Sequence, residues 1–262
     1  MPRRRALVAL AAGLLAGCAS APPALPPAVR QALAPTGTLR IAVYPGSPTS
    51  LLPGEPPRGV AVDVGRALAA RLGVPSELVV LPRVAEVVAA LKAGRADFTV
   101  TNATPARAAE VDFTPPLLAL ELGLLVPAGS AVASLETIDR DGVRVGVSQG
   151  SSSERALAGR WQRAKLVSEP TLDAAAADLK AGRLDAFATN KGILFELADR
   201  VPGSRVLEGR WGLEHLAIAV PQGREAARAE LQRFAMQVAS DGTVAAAAAR
   251  AGLRGTVPPE TR

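Results

Sequence analysis

Small polar side chains recur at matching places in two parts of this sequence. Gly46-Ser47 and Gly150-Ser151 each follow a short apolar run, and Thr101-Asn102 and Thr189-Asn190 each close another. Two such rims facing each other would line a cleft with hydroxyls and carboxamides, groups that donate and accept hydrogen bonds. The residue types behind most nucleophilic and metal chemistry are nearly missing. His215 is the only histidine and Cys18 the only cysteine. That excludes a Cys₄ or Cys₂His₂ zinc site and a disulfide framework. Ser-His-Asp catalysis would have to run through His215 alone. No catalytic residue, metal site or cofactor is expected.

The elements that must position these groups are legible from periodicity. Leu39–Val43 is an apolar run bounded by Gly37 and Pro45, the mark of a buried strand. The spacing predicts a helix over Asp63–Leu72, a strand over Leu78–Leu81, a helix over Val84–Ala93 and a strand over Asp97–Thr101. The second part repeats the order: a strand at Val143–Val147, helices at Ser152–Arg160 and Leu172–Ala181, and a strand at Asp185–Thr189. Such alternation predicts an α/β architecture with mostly parallel sheets. Two stretches repeat more closely than this pattern requires. LKAGRADFTVTN (Leu91–Asn102) and LKAGRLDAFATN (Leu179–Asn190) match at eight of twelve positions, 88 residues apart. RIAVYPGS (Arg40–Ser47) echoes RVGVSQGS (Arg144–Ser151). Two echoes in one order predict two lobes of similar design. Ligands of open α/β sheets sit beyond the carboxyl ends of the strands, and closure of two lobes around a ligand is a known motion.

The chain has 262 residues, 48% hydrophobic and 21% charged, ample for folded cores and unlike a disordered chain. Aromatic residues make up 3%, too few for a base-stacking platform. The formal charge is +6, but Arg3, Arg4 and Arg5 supply half of it; without them 27 basic residues face 24 acidic ones. The remaining charges alternate along the chain, a solvated surface and no nucleic-acid footprint. The three arginines precede an uncharged run, Ala6–Ala16, too short to span a bilayer and shaped like the core of a secretory signal. It ends in Leu15-Ala16-Gly17-Cys18, which resembles the lipobox of bacterial lipoproteins. That implies a signal peptide over 1–17, lipidation at Cys18, and attachment to the membrane by the lipid alone. Five prolines between Ala19 and Pro35 predict a helix-free tether over 18–36.

The order of segments resembles the extracellular solute-binding proteins of polar amino acid importers. GTLRIAV, GVAVDVGRALAARLGV, LKAGRADF, TPARAAEVDFTPP, LLVPAGS, VRVGVSQGSSSE, LKAGRLDA and LAIAVPQG carry the likeness over Gly37–Gly252. It implies the two-lobe type II periplasmic binding protein fold. Lobe 1 would hold 37–126 plus 214–255 and lobe 2 127–213, leaving a tail over 256–262. It also implies a monomer in the periplasm or cell envelope that closes on a small molecule and delivers it to an ABC permease. The arginine of the family's T-x-x-R motif, which binds the ligand carboxylate, matches Arg107. Thr101 and Asn102 match positions that help hold the ligand, and Gln149-Gly150-Ser151-Ser152 matches a Gly-Ser/Thr-Thr turn before a helix.

Three departures point away from an ordinary amino acid. The aspartate that holds the ligand amine matches Asn190, which cannot neutralise an ammonium. The aromatic stackers are missing: one region reads Ser47-Pro48-Thr49-Ser50 and another position is Val84. The FS-x-PY segment reads Phe113-Thr114-Pro115-Pro116-Leu117, without its tyrosine. The expected ligand therefore carries an anionic group, with or without a free α-amine. Tyr44 lies at the end of the first strand, where it enters the cleft or packs beneath it. Lys191 is either a second cation for the ligand or an exposed helix-start lysine. Trp211 and His215 precede a strand at Leu216–Val220 that returns to lobe 1, as hinge or rim packing residues. Ligand contacts are thus expected from Arg107, Asn102, Thr101, Ser47, Ser151, Ser152, Asn190 and Tyr44. An enzyme of the cyclohexadienyl dehydratase kind and a lipoprotein sensor are alternatives on the same fold. The former wants a positioned acid, with Glu121 and Glu154 the nearest candidates.

Overall fold

LRIAV buries four of its five side chains and forms strand β1 (Leu39–Val43) in the computed structural model, which describes residues 25–257. The expected signal segment, Cys18 and residues 258–262 lie outside the described residues. Helix α1 (Pro27–Leu33) comes before β1. After it follow α2 (Val60–Leu72), β2 (Ser76–Val80), α3 (Val84–Lys92), β3 (Thr99–Asn102), α4 (Pro105–Ala108) and the 16-residue β4 (Val111–Val126). Then come β5 (Arg144–Ser148), α5 (Ser152–Ala158), β6 (Lys165–Glu169), α6 (Leu172–Lys180), β7 (Ala186–Asn190) and α7 (Lys191–Arg200). The chain finishes with β8 (Arg205–Val206), β9 (Gly212–Pro221), α8 (Glu225–Ser240), α9 (Thr243–Arg250) and β10 (Thr256–Val257). Each strand and helix expected from periodicity forms, Leu39–Val43 with the expected ends and the others with shifted ones.

β1 and β2 pair in parallel, and a parallel bridge from Ile41 to Phe98 ties β1 to the approach of β3. β3, β9, β4, β7, β5 and β6 lie side by side in that order, with β8 and β10 also on β4. β5 is parallel to β6 and β7, while β4 and β9 run antiparallel from Val111–Pro221 to Leu122–Gly212. This long ribbon passes from one lobe to the other. Pro115 and Pro116 have no N–H to donate, and the β4–β9 register shifts around them. The Thr114 hydroxyl accepts the Ile218 amide there at 3.2 Å and repairs the ladder.

The echoes are twin clamps. Arg40 opens β1 and donates from Nε and Nη2 to Asp97, at 2.8 and 2.9 Å. Arg144 opens β5 and holds Asp185 in the same way, at 2.9 and 2.9 Å. Each fork fixes a strand start to the turn that ends a helix, at Gly94 and Gly182. Both glycines have a positive φ, +66° and +65°, which only glycine adopts freely. Hydrogen bonds from Arg144 hold the Asp185 carboxyl below the ordinary aspartate range. The repetition therefore sets Asn102 and Asn190 at equivalent strand ends.

Two expectations at the termini are corrected. The stretch 18–36 is not helix-free, because α1 forms within it. Pro26 and Pro27 occupy the N-cap and first helical position, where a missing N–H costs no intrahelical bond. Val29 and Leu33 bury in a core shared with Leu39, Leu68, Phe98 and Phe234. The stretch 256–262 does not begin as a tail, since Thr256 and Val257 pair with Leu120 and Ala119 on β4. Separate cores gather around Val145 and Leu157, and around Leu125, Leu179 and Phe187.

Candidate functional site

The strand ends and helix starts converge on a cavity between the lobes, with about 30 Å³ of free space. Lobe 1 brings Tyr44, Thr49, Val84, Thr101, Asn102 and Arg107. Lobe 2 brings Ser148, Ser151, Ser152, Thr189 and Asn190, and β9 adds Glu214 and Leu216.

Arg107 is aimed inward by its own short helix. Pro105 opens α4, and the Thr104 hydroxyl caps it by accepting the Arg107 amide at 3.3 Å. The side chain is 4% exposed. Nη1 donates to Thr101 Oγ1 at 2.8 Å and to the Asn102 carbonyl at 3.2 Å. Nε and Nη2 have no hydrogen-bond acceptor among the described residues, so two donors of the guanidinium remain for an anion. Burial lowers the Arg107 pKa; Glu214 opposes that shift and Arg155 adds to it.

Glu214 stands opposite in charge and is as deeply placed. Its Oε2 accepts from Asn190 Nδ2 at 2.9 Å, and its Oε1 accepts from the Ser152 hydroxyl at 3.2 Å. Burial pushes its carboxyl above the ordinary glutamate value, against the pull of Arg107, Asn190 and Ser152. Asn190 keeps its oxygen for the Ile193 amide at the start of α7, at 3.1 Å. Asn190 itself carries no charge, as its residue type implies, and the acid it holds in the cavity is Glu214.

The rims also meet each other. Asn102 accepts the His215 amide at 3.0 Å and donates to Ser152 across the lobes at 3.1 Å. Arg83 on lobe 1 donates to Gln149 on lobe 2. Tyr44 lines the cavity and packs against cores of both lobes. Burial raises its phenol pKa, offset by the Ser47 hydroxyl.

Of the expected contacts, Tyr44, Thr101, Asn102, Arg107, Ser151, Ser152 and Asn190 share one cavity. Ser151 also caps α5, accepting the Glu154 amide at 3.0 Å. Ser47 does not line it; the side chain is fully buried and bonds the Thr49 hydroxyl at 2.8 Å. Lys191 turns away and pairs with Glu121, so it is no cation for this cavity. Glu154 accepts from the Gly150 amide and the Ser168 hydroxyl. Neither Glu121 nor Glu154 lines the cavity. Trp211 is a packing residue: its indole donates to the Gly123 carbonyl at 2.9 Å and meets Trp161 edge-on.

Glu214 is the residue that sequence reasoning missed. It lies two positions before Leu216, and alternate residues of a strand share a face. Starting the return strand at Gly212 instead of Leu216 would have put both on the cavity wall. Among the described residues no group of His, Cys, Asp and Glu could hold a metal. No helix there is long and apolar enough to cross a membrane.

The sequence model of the bacterial extracellular solute-binding proteins, family 3, matches residues 39–252. The glutamine-binding protein of an ABC transporter from Bacillus subtilis (strain 168) is 29% identical over 139 residues, 53% of this chain and 50% of that one. The chain thus matches half the length of that relative. The solute receptor for L-cysteine of Neisseria gonorrhoeae superposes with a TM-score of 0.76 at 24% identity, covering 85% of this chain and 93% of that one. An ancestral amino acid-binding protein, a precursor of cyclohexadienyl dehydratase, gives 0.74 at 24%, covering 84% and 98%. These two likenesses establish the two-lobe fold.

Proposed function

Because the chain belongs to family 3 of the bacterial extracellular solute-binding proteins, we propose that it is the substrate-binding component of an ABC importer. It closes on a small zwitterionic solute in the cell envelope and presents it to a membrane permease. It acts as a monomer, and Cys18 ties it to the membrane through a lipid after removal of residues 1–17. The observation that carries the ligand reading is one buried cavity with Arg107 on one wall and Glu214 on another. The free guanidinium donors take a carboxylate, and the Glu214 carboxylate takes an ammonium. Each ligand charge then replaces lost hydration, which is what makes burial of an ion affordable.

Titration calorimetry with α-amino acids, the matching deaminated acids and the matching amines tests this. An intact amino acid binds at least tenfold tighter than either truncated form. Arg107→Ala removes one partner of a buried charged pair, at about 2–5 kcal/mol, or roughly thirtyfold to several thousandfold in affinity. Arg107→Lys recovers part of it, because an ammonium cannot form the two-pronged contact. Unchanged affinity in Arg107→Ala would make this arginine structural.

A dehydratase on this fold is the second reading, and Glu214 is the observation in its favour, since a buried carboxyl with a raised pKa is a proton donor in form. Nothing else in the cavity supplies a partner base among the described residues. Incubation with prephenate and arogenate decides: we expect no product above background.

A further inference from the structure

The two echoes of the sequence meet each other across the cleft. Gly46 and Gly150 hold the same place in RIAVYPGS and RVGVSQGS, and α3 and α6 both lead into a repeated LKAGR stretch. Each glycine lies on the first turn of the other lobe's helix. Gly150 of lobe 2 lies on Ala85 of α3, and Gly46 of lobe 1 lies on Leu172 of α6. The lobes thus touch through a reciprocal pair of contacts.

The space at these contacts differs. A Cβ on Gly150 would stand 2.5 Å from the Ala85 Cβ, where carbon atoms in contact need about 3.5–4.0 Å. A Cβ is fixed by its backbone, so the lobes would have to back off by about an ångström. A Cβ on Gly46 would meet Leu172 Cδ1 at 3.1 Å and its Cβ at 3.3 Å, an overlap of a few tenths of an ångström. Other groups depend on the same approach. Asn102 donates to Ser152 at 3.1 Å, and an added ångström breaks such a bond. Arg83, just before α3, donates to Gln149, just before Gly150. Arg107 stands on lobe 1, while Glu214 is held by Ser152 and Asn190 of lobe 2. The distance between the two charges that meet the ligand is therefore set here as well.

Resting on the reading that the lobes close on an amino acid, we propose that Gly46 and Gly150 are closure stops, which set how near the lobes come. Gly150 is the strict one, because only a hydrogen fits between its Cα and Ala85. Neither glycine lines the ligand cavity, so both are positioning residues.

Gly150 has φ +70°, so an alanine there strains the turn as well as crowding Ala85. A compensating pair of substitutions separates the two effects. The probe is the standard amino acid that the wild-type chain binds most tightly by calorimetry. Gly150→Ala weakens its binding about tenfold or more. Gly150→Ala combined with Ala85→Gly returns affinity to within about threefold of Ala85→Gly alone, since the space is restored while the strain stays. Gly142→Ala, at φ +82° with nothing within 4 Å of the new Cβ, lowers Tm and leaves affinity unchanged. Gly46→Ala costs less affinity than Gly150→Ala. Unchanged affinity in Gly150→Ala, a loss that Ala85→Gly does not restore, an equal loss in Gly142→Ala, or a larger loss in Gly46→Ala each overturns the proposal and leaves the amino acid reading standing. Should no amino acid bind, that reading falls, and small-angle scattering of the ligand-free chain decides on the stop. A larger radius of gyration in Gly150→Ala, reversed by Ala85→Gly, supports it, and equal radii overturn it.

Discussion

Asn190 donates to Glu214 at 2.9 Å while its carboxamide oxygen caps α7. One side chain thus fastens a helix of lobe 2 and orients an acid on the ribbon that joins the lobes. A helix cap is fixed by its backbone, so the carboxylate it holds is fixed too. Polar groups that must meet a ligand in one geometry gain from such support.

Glu214 keeps this position at a cost to the fold. Its carboxyl is raised from the ordinary 4.5, so the folded chain holds that proton more tightly than the unfolded chain. Between the ordinary and the raised value the folded state binds more protons, and stability falls as pH rises. The attraction of Arg107 is already included in that direction. Glu214→Gln removes the charge and keeps the shape. Thermal melts across this range should show a higher Tm for the variant at neutral pH and a flatter pH dependence. Calorimetry should show at least tenfold weaker amino acid binding. A lower Tm at neutral pH would mean that the acid stabilises the fold.

Helix α1 offers a test of where the folded body begins. Leu33 is 1% exposed and sits in the core with Phe234. Leu33→Ala should cost about 2–5 kcal/mol. For a chain of this size that lowers Tm by roughly 5–20 °C. An unchanged Tm would mean that α1 is a tether after all.

Cys18→Ser tests anchoring. Cell fractionation should find the variant released from the membrane fraction or left unprocessed. Wild-type protein found wholly soluble with an unmodified Cys18 would refute the lipid anchor.

Much of the site was readable because local sequence determines it. Arg107 follows from Thr104 and Pro105, which build its helix, and the strand ends follow from the repeated clamp of Arg40 with Asp97 and Arg144 with Asp185. Glu214 was not readable in this way. Its side of the sheet is set by the register of β9 on β4, a pairing of residues far apart in sequence, such as Leu120 with Glu214. Ser47 misled because its echo, Ser151, opens a helix at once. Ser47 instead begins a loop that turns it onto Thr49. The prolines before Pro35 misled because composition does not say that two of them sit where a helix starts.

The first lobe draws its core from both ends of the described chain, with Val29 and Leu33 beside Val238 and Val244. The second lobe closes its cores with residues no later than Trp211. At about 5–20 residues per second of synthesis, the second lobe can pack while α8 and α9 are still unmade. Lobe 1 waits a few seconds longer, and contacts of such wide sequence separation also form slowly. The wall that carries Arg107 is therefore completed last, and a nascent chain cannot trap its solute before nearly all of it has been made.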